Sequence, residues 1–126
     1  MATDDSVTNM SGVEDYKIVD DSTSHPEDRF ETWDDEKLSL NVKLLRGIYM
    51  YGFEMPSEIQ KKSIVPMTRG NDIIAQAQSG TGKTGSFVVS SLQLIDHSVE
   101  KTQILLLSPT RELAEQNFKI ATAMSK

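Results

Sequence analysis

After Lys37, apolar residues recur at spacings of three and four: Val42, Leu45, Ile48 and Tyr49. That is the period of a helix with one buried face, and Gly52 stands where a left-handed residue closes such a helix. A second helical segment follows Pro56, a residue suited to a first turn because it has no amide hydrogen to leave unpaired. It runs through SEIQKKSIVPMTRG, bends or breaks near Pro66, and stops at Gly70 and the turn pair Asn71-Asp72. The period then changes. Residues Ile73 to Ala77 open with two β-branched side chains, read as a strand, and lead into the glycine-rich stretch Ser79 to Gly82.

From Lys83 to about Ile95, Phe87, Val88, Leu92 and Ile95 form a helical stripe. The run Gln103-Ile104-Leu105-Leu106-Leu107 predicts a parallel strand buried on both faces, which completes a βαβ unit. A last helix starts after Thr110, a suitable N-cap, and carries Leu113, Ala114, Phe118, Ala121 and Met124 on one face. The chain has no internal repeats. Two parallel strands buried on both faces need further neighbours, so the chain reads as the front of a larger α/β domain rather than the whole of one.

The stretch before Lys37 is different. Residues from Met1 to Glu36 hold twelve of the nineteen Asp and Glu but two of the thirteen Lys and Arg, so an acidic tail precedes a mildly basic body. Its scattered apolar residues are too few to offset the entropy of ordering it, which predicts disorder over residues 1–31 and a folded body over 32–126. The tail serves as a solvating extension or, alternatively, as an acidic partner-binding or phosphorylated arm.

Composition removes several classes of function. The absence of cysteine among the 126 residues excludes a disulfide framework, a thiolate metal site and a cysteine nucleophile. No apolar stretch approaches the roughly 18–20 residues of a membrane span, and the polar, acidic N-terminus is unlike a signal or transit peptide. A soluble, intracellular protein is therefore expected. His97 stands alone at a helix end and the methionines suit packing, so no transition-metal site is expected.

The sharpest chemistry lies in Ala77-Gln78-Ser79-Gly80-Thr81-Gly82-Lys83-Thr84, a Walker A loop with Ala at its first position, set between a predicted strand and helix. Glycines let successive backbone N–H groups curl toward phosphate oxygens at the positive end of the following helix. Lys83 then serves as the point charge on the β and γ phosphates, and the Thr84 hydroxyl as a ligand of the bridging Mg ion. Upstream, the run Gly52-Phe53-Glu54-Met55-Pro56-Ser57-Glu58-Ile59-Gln60 closes a helix-turn-helix suited to sit beside a bound base, and it ends on a carboxamide. A Gln can accept from adenine N6 and donate to N7, a pairing that guanine does not offer; alternatively, Gln60 only caps a helix.

GFEMPSEIQ resembles the Q motif of the DEAD-box RNA helicases (residues 52–60), AQSGTGKT their motif I (77–84) and PTRELAEQ their motif Ia (109–116). Within that family, LLRGIYMYGFEMPSEIQ and DIIAQAQSGTGKT are most similar to the translation initiation factor four-A subfamily and its exon-junction paralogue. The resemblance extends from Thr32 to Lys126. It implies a P-loop RecA-like parallel sheet with flanking helices, of which only the N-terminal part of the first RecA-like domain is present. It also implies ATP and Mg as cofactors, with Gln60 reading adenine, Phe53 and Pro56 in the same motif, Ala77 to Thr84 around the phosphates, and Lys83 and Thr84 in the catalytic roles. Trp33 is the candidate aromatic that packs on the base, or else it anchors the start of the domain, and Phe30 competes for either job. Motif Ia implies that Pro109, Thr110 and Arg111 hold RNA backbone without reading sequence, the alternative for Arg111 being a structural ion pair.

The implied partners are RNA and, by the same resemblance, translation-initiation scaffold or exon-junction proteins, with a cytoplasmic or alternatively nuclear location. An Asp-Glu-Ala-Asp segment, a Ser-Ala-Thr motif and a second RecA-like domain do not occur in residues 1–126. The 126-residue chain alone is accordingly expected to bind rather than to turn over ATP. The competing expectation is a noncatalytic fragment that acts as a binding module.

Overall fold

Asn41 opens α1 (Val42–Tyr51) by accepting a hydrogen bond from the Lys43 amide at 2.9 Å, and Gly52 closes it in the left-handed region at φ 103°. α2 (Glu58–Thr68) follows and keeps Pro66 within its last turn, buried, so the expected interruption is absent. The helix ends just beyond, where the amides of Arg69, Gly70 and Asn71 donate to the carbonyls of Val65, Met67 and Pro66. The chain then turns through Gly70 at φ 85° into the strand β2 (Asp72–Ala75). α3 (Lys83–Leu94) and α4 (Arg111–Met124) complete the sequence of helices, the latter capped by Thr110 Oγ1 on the Leu113 amide at 3.2 Å. The computed structural model describes residues 16–20 and 25–126.

The core lies among the helices. Ile48 of α1, Ile64 and Val65 of α2, Val88 and Val89 of α3, and Ile120 and Met124 of α4 meet there with Phe30, Trp33 and Leu38 from the preceding segment. The helical stripes are rotated from their sequence-based assignment. On α1, Ile48 is buried together with Leu44 and Gly47, while Val42 and Tyr49 are exposed. On α4 the buried residues are Asn117, Ile120 and Met124, while Leu113 and Phe118 are exposed. The reason is the α1–α4 contact: Gly47 has no side chain, so α4 comes in at that point and selects which face of each helix is covered.

Two expectations are corrected outright. Gln103 to Leu107 forms no strand, and Leu105 and Leu107 are 77% and 83% exposed. A buried parallel strand requires hydrogen-bonded neighbours, and among the described residues β2 is paired with another segment altogether. That segment is the second correction. Tyr16–Val19, inside the stretch expected to be disordered, forms the strand β1, which pairs parallel with β2 in the register Tyr16 with Asp72 through Val19 with Ala75. Pro26–Asp28 is a short 3-10 turn, and Asp28 and Phe30 are buried, so the boundary expected after residue 31 cuts through packed chain. Few apolar residues suffice here because Val19, Phe30 and Trp33 are each almost completely covered. The remainder of the expected tail, residues 1–15 and 21–24, lies outside the described residues. Parallel strands with flanking helices nonetheless make the chain α/β in class.

Candidate nucleotide site

The loop after β2 reaches α3 through two glycines with positive φ, Gly80 at 79° and Gly82 at 97°. An L side chain is strained at such angles, and this curl brings the loop to the N-terminus of α3. Within it, Thr81 Oγ1 donates to the Gln78 carbonyl at 2.6 Å, and Lys83 Nζ folds back to donate to the Ala77 carbonyl at 2.6 Å. The ammonium is thus held directly over the loop. To engage a phosphate it exchanges one carbonyl for a charged oxygen, a stronger acceptor.

Gln60 ties this loop to the segment before it. The residue is 3% exposed; its Oε1 accepts from the Ser57 amide at 2.9 Å and its Nε2 donates to the Gly82 carbonyl at 3.1 Å. One carboxamide therefore caps α2 and clamps the phosphate loop at once. The cap anticipated as the alternative role is present, together with a bridge that sequence reading did not foresee. The approach is close enough to forbid side chains opposite it: a Cβ on Gly82 would lie 2.7 Å from Gln60 Nε2, and one on Gly85 would lie 2.5 Å from it and 2.9 Å from Phe53 Cε2. Gly85 went unnoticed in the sequence, although a glycine in the first turn of a helix, where it costs helix propensity, is a signal of close approach.

Phe53, half-buried, supplies the aromatic wall beside Gly85 and meets Tyr51 edge-on at 5.0 Å. Behind it lies Trp33, stacked on Phe53 with centroids 6.3 Å apart and planes 11° apart, and tilted against Phe30 at 5.8 Å. Trp33 is fully buried, so its ring is covered by protein and does not face the cleft. In this structure the indole sits as the anchor of the segment, the second of the two roles expected for it. Phe30 is buried beside it and shares that role.

An open cleft of about 1230 Å³ is lined by Phe53, Ser79, Gly80, Gly82, Lys83 and Thr84, and by Pro109. Gln60 and Pro56 are buried outside its lining, and Ala77, Gln78 and Thr81 of the loop do not line it either. Thr110 and Arg111 are exposed at the start of α4. Thr110 is occupied in capping, and Arg111 Nε pairs with Glu115 Oε1 at 3.3 Å, an exposed contact of the kind worth little in stability. Ser108 accepts from Asn117 Nδ2 at 2.8 Å, which fixes the turn that presents Pro109 to Arg111. The loop, the lysine and the hydroxyl of Thr84 are the donor set that a Mg-nucleotide requires, so the residues present fit such a ligand.

A profile of the DEAD/DEAH box helicase family matches residues 57–126. Eukaryotic initiation factor 4A of Caenorhabditis elegans is 56% identical over 96 residues, which cover 76% of this chain and 23% of that protein. The ATP-dependent RNA helicase eIF4A of Phaeosphaeria nodorum is 54% identical over 89 residues, covering 71% and 22%. The chain thus spans about a quarter or less of the length of these relatives. Among solved structures, a DEAD box protein from Methanococcus jannaschii superposes with a TM-score of 0.71 at 32% identity, covering 77% of this chain and 26% of that one. S. cerevisiae Dbp5 bound to RNA and ADP BeF3 superposes at 0.68 with 36% identity, covering 76% and 25%. With its Walker A loop clamped by the Q-motif glutamine, the chain belongs to the DEAD/DEAH box helicase family.

Proposed function

We propose that this chain is the N-terminal, ATP-binding portion of an ATP-dependent RNA helicase of the translation-initiation type. The observation that carries the proposal is the Gln60 bridge, which joins the helix of the Q motif to the Gly82 carbonyl of the phosphate loop. That contact sets the Gln60 carboxamide against the glycine loop, the pairing that an adenine reader beside a phosphate cradle calls for. In this reading Gln60 turns from Gly82 to the adenine edge, Phe53 walls the base side, Ala77 to Gly82 hold phosphate through backbone N–H groups, and Thr84 ligates Mg. Mg, held by the Thr84 hydroxyl, would supply charge neutralisation to the phosphates, and Lys83 would add a neighbouring positive charge.

Pro109, Thr110 and Arg111 hold RNA phosphate in the same proposal, supported by their exposure at the N-terminus of α4. Such contacts are blind to sequence and weaken steeply with salt. Hydrolysis and unwinding belong to the intact protein. The same reading favours the cytoplasm, or the nucleus if the exon-junction likeness governs, and partners drawn from initiation scaffolds or exon-junction proteins. Among the described residues no helix is long and apolar enough to cross a membrane.

The test is equilibrium binding of Mg-ATP and Mg-GTP to the intact protein. Lys83→Ala removes the phosphate charge and abolishes binding of both nucleotides. Gln60→Ala lowers ATP affinity by about tenfold and narrows the gap between ATP and GTP, as expected for loss of one hydrogen-bonded selector. Equal ATP affinity in both folded variants and the parent sinks the assignment.

A further inference from the structure

A short parallel pair of strands does not support itself. β1 and β2 contribute four residues each, and an isolated two-stranded sheet is marginal at best. Asp28 reaches β1 through an ion pair, beside the Lys62 Nζ to Asp20 carbonyl hydrogen bond at the strand's end. Its carboxylate is 2% exposed and engaged at both oxygens: Oδ2 accepts from Lys17 Nζ of β1 at 2.8 Å, and Oδ1 accepts from Arg69 Nη1 at the end of α2 at 2.8 Å. Arg69 directly precedes the turn that feeds β2, so one covered anion joins both strands at their roots. A buried carboxylate between two cations resists separation far more than an exposed pair does, because pulling it apart strands a desolvated charge.

The pairing also extends toward the phosphate loop. Past the end of β2, the Gln76 amide donates to the Val19 carbonyl at 2.8 Å. The next residue is Ala77, whose carbonyl receives Lys83 Nζ. We propose that Asp28 is a latch that docks β1 on the P-loop strand and, through the Val19–Gln76 bond, steadies the phosphate loop. Docking and nucleotide binding then favour the same loop geometry, so each strengthens the other by the same factor. The docking half stands on its own; the nucleotide half rests on the function proposed above.

Hydrogen exchange on the intact protein without nucleotide tests the docking. In Asp28→Asn and in Lys17→Met, the Gln76 amide exchanges about tenfold faster or more, while the amides of Val88 and Val89 in α3 keep their protection. Lys17→Met leaves the Arg69 contact in place and decides the matter if Asp28→Asn fails to fold. Unchanged Gln76 exchange in Lys17→Met overturns the latch, since Asp28 would then serve only the end of α2. Mg-ATP titration of the same variants tests the coupling, with affinity expected to fall about threefold to tenfold. Faster exchange at unaltered ATP affinity overturns the steadying of the loop, provided Lys83→Ala has lost ATP. If Lys83→Ala binds ATP normally, the nucleotide reading has failed instead, and the exchange result still decides the docking.

Discussion

Gly85 shows how much one absent side chain carries. Alanine there would gain helix propensity of up to about 1 kcal/mol, because glycine is a poor interior helix residue. Its Cβ, however, would meet Gln60 Nε2 at 2.5 Å and Phe53 Cε2 at 2.9 Å, and the Gln60 carboxamide is fixed by hydrogen bonds at both ends. Overpacking costs about 1–3 kcal/mol, so Gly85→Ala destabilises on balance. Urea unfolding measures the loss, and the same substitution in a Gln60→Ala background recovers part of it, as a double-mutant cycle reports for groups in contact. A gain in stability would mean that the clamp has room to yield. The Walker A residues were legible in the sequence because the motif has fixed spacing within eight consecutive residues. The Gln60 to Gly82 bond was not, since the two residues meet only after two helices have packed.

At the scale of elements, helix existence followed from periodicity and caps, and helix facing did not. Asn41, Gly52 and Thr110 mark their helix ends through local hydrogen bonds and backbone angles, which act over a few residues and are written in the sequence. Which stripe is buried depends on the neighbour. α4 passes so close to α1 that a Cβ on Gly47 would fall 2.1 Å from the Met124 carbonyl oxygen and 2.9 Å from its carbon. Those are backbone atoms, with no rotamer through which to escape. Gly47→Ala therefore forces the end of α4 away from α1 and costs about 1–3 kcal/mol or more, readable as a lower urea midpoint with an unchanged slope. An unchanged midpoint would mean that the last turn of α4 contributes nothing to the fold. The run Gln103 to Leu107 illustrates the opposite dependence: apolar and strand-like by composition, it stays outside the sheet because strand identity needs a hydrogen-bonded neighbour.

Over the whole molecule, charge does more than the net value of -6 suggests. The acidic stretch before α1 is stitched to α2: Arg29 pairs with Glu58 at 2.9 Å and Glu31 at 2.7 Å, and Lys61 with Glu31 at 3.0 Å. Hydrogen bonds from Lys61 and then Arg29 hold the Glu31 carboxyl below its ordinary value of 4.5, and Arg29 does the same for Glu58. A depressed folded value means that the unfolded chain binds more protons in acid, so this contribution is present above pH 4.5 and is lost as pH falls through the lower folded values. Because the groups face solvent, the contribution is small and screened by salt. Thermal unfolding followed from about pH 6 to about pH 3 should show a steeper acid decline in the parent than in Glu58→Gln, and the difference should shrink at high salt. Parallel curves would mean that the network is only geometric. What the sequence determined by itself were the features set by local chemistry: the Walker A loop, the helix caps, the strand before the loop and the likeness to DEAD-box helicases. Tertiary structure decided what depends on distant partners: that Trp33 is buried behind Phe53, that Gln60 clamps Gly82, and that Tyr16–Val19 is a strand. Burial, hydrogen-bond pairing and the desolvation of Asp28 are properties of neighbours brought together by folding, and no local pattern encodes them.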